Sequence, residues 1–307
     1  MSNLPCIPSP PTDPPAYGLA TVAGATVPKA ATDVVHGISE LRALPEVAQK
    51  VRDIAADPKG TVGDLAEVIT SDPALASKLL KLANSAFYGL PSQVGSIHRA
   101  IVVLGFKTVQ NLALAGALCS IFRGAKISDS FTGHDLWKHC LAVAVAARNL
   151  AKRAGACNPE EAFLAGITHD VGVLAAREAW PQKLAEAIAS AQGGASFLTA
   201  ERDRFGTDHT EVGLALTSVW RFPDYLRIVC RFHHAPALAS DQFPTHIRAV
   251  HLADWLCTRK RIGFYLTVPK GPACQDSLEA LGLTKADLAE VRNSLPDDIR
   301  EAERIFA

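Results

Sequence analysis

The chain carries no excess charge of either sign: lysine plus arginine number 31 and aspartate plus glutamate 31, in 307 residues. No overall field therefore exists to hold nucleic acid or an anionic membrane. The longest apolar runs, such as Leu112 to Cys119 and Leu141 to Ala147, fall far short of a bilayer-spanning helix. No basic stretch followed by an apolar run opens the chain, so a secretory signal is not expected. The seven cysteines include no C-x-x-C pair; they suit buried thiols in a reducing cytoplasm better than disulfides or a zinc ribbon. Strand-like alternation is nowhere sustained, so the expected fold class is all-α.

What is present is ample apolar material, 48% of the residues, arranged as short helices and short turns. Residues 1–31, rich in proline, read as an extended tail, with structure proper beginning near Ile38 to Leu44. Pro45 suits the first turn of a helix to Asp57, and Thr61 with Asp64 caps the next. Asp72 and Pro73 open a third, with Leu75, Leu79 and Leu82 on one side. Four segments result: the tail, an N-terminal helical part (32–130), a helical core (131–260), and a loop with a C-terminal tail (261–307) carrying two helices, from Thr284 and from Ser294-Leu295-Pro296.

Within the core, Phe163 to Leu174 falls in a helix expected to run from Pro159 to Leu174. Phe163, Ile167, Val171 and Leu174 form one apolar stripe, while Gly166, His169, Asp170 and Val173 share a second face. A carboxylate in such a segment needs a partner, because burying it alone costs several kcal/mol, roughly. A metal ion, a salt bridge or hydrogen-bond donors would serve. Asp208 and Glu211 make a D-x-x-E capping box that puts His209 in a first turn. His139, His233, His234 and Asp254 also sit on or beside apolar faces. One such histidine is usually a satisfied core residue. Five of them and two aspartates on successive helices favour convergence on one or two divalent ions. Imidazole and carboxylate without thiolate suit iron or manganese, with zinc or nickel as further choices. Asp170 is the expected bridge, with His139, His169 and Asp254 around one ion and His209, His233 and His234 around the other. Asp170 is also the candidate catalytic residue of such a site. His36, His98, His134, His246 and His251 have weaker claims.

Leu44 to Lys50, Asp72-Pro73-Ala74-Leu75, Leu82 to Leu90, Ala100 to Gly105, His169-Asp170-Val171-Gly172 and His209 to Gly213 together resemble the HDOD domain, a relative of the HD phosphohydrolases found in bacterial signalling proteins. The resemblance implies an N-terminal helical subdomain packed on an HD-like core, and a regulatory binding module that engages signalling proteins with no, or lost, hydrolase activity. His139, His169-Asp170 and Asp254 keep the spacing of an HD metal set, and His209 with His233-His234 is similar to the HD-GYP phosphodiesterases. Val173 stands where those enzymes carry a lysine, Ala235-Pro236 replaces Glu-Arg, and no Gly-Tyr-Pro loop follows. The alternative implied is a metal-dependent phosphohydrolase acting on a phosphate-containing small molecule, a nucleotide or cyclic dinucleotide.

Overall fold

A computed structural model describes residues 26–306 apart from residues 40, 42, 86–87, 123–125, 240–242 and 269–274. Most of the expected proline-rich tail, and part of the Leu82 to Leu90 stretch, lie outside the described residues. Among the described residues the chain is all-α, with one isolated bridge between Lys126 and Thr132.

The first helix, α1 (Lys29–Gly37), starts earlier than the sequence suggests. Ala31, Val34 and Val35 give it an apolar face, buried against helices much later in the chain. The N-terminal layer follows as α2 (Glu46–Ala56), α3 (Val62–Thr70), α4 (Pro73–Ala83), α5 (Ile97–Leu104) and α6 (Phe106–Leu118). Its helix starts obey their local signals. Thr61 and Asp64 close a reciprocal capping box, and Asp72 accepts from the backbone N–H groups of Ala74 and Leu75.

The core is built on α7 (Gly133–Ala154), α8 (Pro159–Thr168) and α9 (Val171–Ala179), then α10 (Pro181–Gln192), α11 (Phe197–Phe205), α12 (His209–Val219), α13 (Asp224–Phe232) and α14 (Pro244–Arg259). α7 is the central post: Leu141 to Ala147 are fully buried, and α8, α14 and the C-terminal helix all pack on it. Its alanines allow close approach, and the partner helix answers with glycine. A Cβ on Gly166 of α8 would stand 2.4 Å from the Ala144 Cα, so any larger residue would push the two helices apart.

Two expectations fail informatively. The Pro159 to Leu174 segment is two helices, broken at Asp170, whose ψ of 16° interrupts the helical hydrogen-bond ladder. The break releases the Asp170 side chain from both helices, and it caps neither. Toward the C-terminus, α15 (Gln275–Ala280) is followed by one long helix, α16 (Lys285–Phe306), which runs through Pro296. Leu288, Val291, Leu295, Ile299, Ala302 and Phe306 make a continuous buried stripe that outweighs the hydrogen bond the proline removes. This helix packs on α7 and α4, and Lys78 donates to the Phe306 carbonyl at 2.8 Å.

Candidate metal centre

The break at Asp170 aims its carboxylate into a space ringed by its neighbour His169 and by histidines from three other places in the chain. His169 Nε2 lies 3.2 Å from Asp170 Oδ2, and His139 Nε2 lies 3.7 Å from the same oxygen. On the other side His209 Nε2 and His233 Nε2 are each 3.4 Å from Oδ1. Asp254 joins through His139, at 3.1 Å, and His234 Nδ1 stands 3.7 Å from Asp254 Oδ2. His234 Nε2 is 3.0 Å from His209 Nε2. All the residues singled out from sequence are thus brought together.

The grouping differs slightly from the expected one. Sets of donor atoms lying within 4.8 Å of one another are Asp170 with His209, His233 and His234; His139 with His169 and Asp170; and His169 with His233 and Asp254. Asp170 is common to the first two, as a bridging carboxylate would be.

The backbone explains how these side chains are held. Gly172, just after the break, packs so tightly on α12 that a Cβ there would fall 2.0 Å from the His209 carbonyl oxygen. Asp208 caps α12 through Thr210 and Glu211, fixing the turn that carries His209. Only half of the expected capping box forms, because the Glu211 carboxylate accepts from the Thr207 hydroxyl and pairs with Arg231.

Proton bookkeeping decides what the centre can hold. His169 Nδ1 donates to the Gly166 carbonyl at 2.8 Å, His139 Nδ1 to that of Ile262 at 3.2 Å, and His233 Nδ1 to that of Cys230 at 3.0 Å. Carbonyls only accept, so each Nδ1 carries a hydrogen, and each ring, once neutral, presents the Nε2 lone pair inward. Those lone pairs face carboxylate oxygens, which also only accept. Both Asp170 oxygens, Asp254 Oδ2, His169 Nε2 and His233 Nε2 are accordingly buried without a hydrogen-bond partner. Donors bound about 2.1 Å from one ion stand roughly 3.0–3.5 Å apart, and the contacts to Asp170 Oδ1 have that spacing. The residues fit a divalent transition metal.

Without a metal, protons on two of these rings supply the missing positive charge. Burial raises the Asp170 carboxyl, but His169, His233 and His209 outweigh it and hold it well below the usual carboxylate range. Burial likewise opposes ionisation of Asp254, and His139 overrides it. Burial resists charge on His169 and His209, yet Asp170 lifts the first well above an ordinary imidazole and Glu201 lifts the second to about 9. His234 moves the other way, well down, through burial and its neighbours His233 and His209. The centre keeps its carboxylates ionised only by recruiting positive charge.

Two supporting residues, Glu201 and Thr258, escaped the sequence reading, and a third, His251, was ranked too low. Glu201, fully buried, accepts from His209 Nδ1 at 2.6 Å. His251 Nδ1 donates to the His233 carbonyl at 2.6 Å, the supporting place that its position one turn before Asp254 allows and that ranked below an ordinary surface or core one in the sequence. Thr258 donates to Asp254 Oδ1 at 3.4 Å. Glu201 stands in a Glu-Arg-Asp-Arg stretch that looks like a solvated helix face, and α11 itself lacks clear periodicity.

The HDOD domain matches residues 41–236, well over half of the chain. The chain belongs to the HDOD family. A protein of Treponema pallidum (strain Nichols) described only as uncharacterized is 26% identical over 230 residues, which are 74% of this chain and 44% of that protein; the chain thus spans less than half of its relative. Among solved structures, an HDOD domain protein of unknown function from Geobacter sulfurreducens superposes with a TM-score of 0.77 at 24% identity, covering 90% of this chain and 97% of that one. A candidate phosphohydrolase from Shewanella amazonensis SB2B gives 0.68 at 27% identity, covering 91% and 98%. No helix of the described residues is long and apolar enough to cross a membrane.

Proposed function

We propose that this HDOD chain is a regulatory binding module that holds one or two divalent transition metal ions, iron or manganese by preference, at His139, His169, Asp170, His209, His233, His234 and Asp254. One observation carries the reading: neither oxygen of the buried Asp170 has a hydrogen-bond partner, while His169 and His233, whose Nδ1 hydrogens are spent on backbone carbonyls, aim Nε2 at them from 3.2 and 3.4 Å. A cation between them satisfies every group at once. Bound divalent ions would supply positive charge for phosphate oxygens and acidify water.

The surroundings favour holding over turnover. Six of the seven side chains are at most 1% exposed and His234 4%. Val173, where a phosphate-binding lysine would be expected, is fully buried. A second reading, a phosphohydrolase, is favoured by the bridging position of Asp170 and by the name given to the Shewanella relative. Chelator-free purification followed by elemental analysis tests the first reading, with bound metal expected and a lower melting temperature after chelation. Absence of metal, with melting indifferent to chelator, defeats it. Metal-replete protein offered phosphomonoesters and cyclic dinucleotides is expected to leave them intact. Hydrolysis abolished by Asp170→Ala would establish the second reading instead.

A further inference from the structure

Beside the metal centre, between the start of α11 and the end of α14, lies a cavity of about 720 Å³, a size that suits a small organic ligand. Its wall touches the centre at three points. The ring of Phe197 stacks on His209 with centroids 5.7 Å apart. The hydroxyl of Thr258 reaches Asp254. The turn after α14 that carries Arg261 into the cavity goes on to Ile262, whose carbonyl holds His139.

The lining has a definite chemistry. Arg259 and Arg261 face the cavity, and no carboxylate appears among its described lining residues. Trp255 and Tyr265 stand beside them, each with an arginine over its ring, at 5.5 Å and 5.0 Å. Ser196 and Gln192 add neutral hydrogen-bonding groups to the lining. A neighbouring cavity shares Trp255 and Arg259 and adds Lys260, Lys285 and Arg292. In a chain of zero net charge, this concentration of cations is local and one-sided.

We propose that this cavity binds a nucleotide, its phosphate on Arg259 and Arg261 and its base against Tyr265 or Trp255. Guanidinium forks match phosphate oxygens in charge and geometry, and flat rings accept a flat base. The inference rests on the reading above only for its consequence: a ligand here presses on residues that position His139, His209 and Asp254, and so connects a soluble signal to the metal centre. Nucleotide binding itself requires no metal.

The test titrates the full chain by calorimetry with AMP, GMP, CMP and UMP, and with inorganic phosphate and adenosine as separate halves of the ligand. At least one nucleotide is expected to bind saturably, and phosphate and adenosine about tenfold more weakly or worse. Arg259→Ala combined with Arg261→Ala should lose at least about tenfold in nucleotide affinity while keeping its metal content. Ser196→Trp, which puts a large ring into the cavity from its lining and leaves both arginines in place, should lose binding as well, so a misfolded arginine variant would not leave the question open. No saturable binding of any of the four nucleotides by about 1 mM, or affinity unchanged in both variants, overturns the proposal. Metal content measured on the same samples separates failure here from failure of the metal assignment.

Discussion

The helix pair α7 and α8 carries a buried charged site at each end, and the two are balanced in opposite ways. At one end Arg148 donates to Glu160 at 2.8 Å, both about 6% exposed, with the guanidinium 5.0 Å from the Tyr88 ring. Glu160 also sits in the first turn of α8, where the helix dipole favours a carboxylate. The chain supplies its own cation there. At the other end His139 and His169 meet Asp170 and Asp254, and no lysine or arginine ion pair reaches either aspartate among the described residues. The difference teaches which buried charge is structural: Glu160 meets a guanidinium from the chain itself, although its Oε2 keeps no hydrogen-bond partner, whereas the two aspartates are balanced only by a charge brought from outside, a proton or a metal ion.

Replacing Asp170 should separate the two ends most. Asp170→Asn keeps the shape and removes the charge, and bound metal should fall to background. The protein should then melt like the chelated wild type. Metal present at a thousandfold excess over its dissociation constant stabilises by about 4 kcal/mol, so the drop should be of that order. Retained metal in this variant would show that the aspartate is not the shared ligand. Arg148→Ala breaks the self-balanced end and should cost about 3–5 kcal/mol by stranding Glu160. That loss should be the same with and without chelator in denaturant unfolding; dependence on chelator would erase the contrast between the two ends of the helix pair.

A smaller effect is expected one layer out. Glu201→Gln keeps an oxygen for the His209 Nδ1 hydrogen but removes the carboxylate that makes the ring a better donor. Metal affinity should fall about 10–100-fold, read by competition with a chromogenic chelator. Unchanged affinity would make Glu201 a packing residue only.

How much of this was legible beforehand follows from where the signals live. Caps are local, so Thr61 with Asp64 and Asp72 with Pro73 could be read directly. The converging histidines and aspartates were legible because a polar residue on an apolar face is conspicuous in any register. Continuity was not. The stripe from Phe163 to Leu174 looks the same whether or not the helix breaks at Asp170, because two turns set end to end keep the same spacing over a short stretch. Pro296 misled in the opposite direction, since local chemistry argued for a stop that tertiary burial of Leu295 and Ile299 overrode. Glu201 was invisible because its neighbours are charged and only the packing of α11 shows which of them turns inward.

The weakest expected effect belongs to a second self-balanced carboxylate on α8. Glu161 pairs with His246 at 2.9 Å and with Lys107 at 2.7 Å. The His246 hydrogen bond comes first among the influences that hold it below the usual glutamate range, with Lys107 adding to it against partial burial. A carboxyl depressed on folding stabilises the protein above its unfolded value, near 4.5, and that contribution is lost as pH falls through the folded value. Glu161→Gln should therefore leave stability near neutrality lower by under about 1 kcal/mol and flatten the acid limb of the stability profile below that point. Chemical denaturation of wild type and variant from pH 3 to 7, about a unit apart, reads it out. A variant whose acid limb stays as steep as the wild type's would mean that proton uptake there belongs to other depressed carboxylates, such as Asp170, Asp208 and Asp254, and that the pairing of Glu161 with His246 and Lys107 contributes nothing to it.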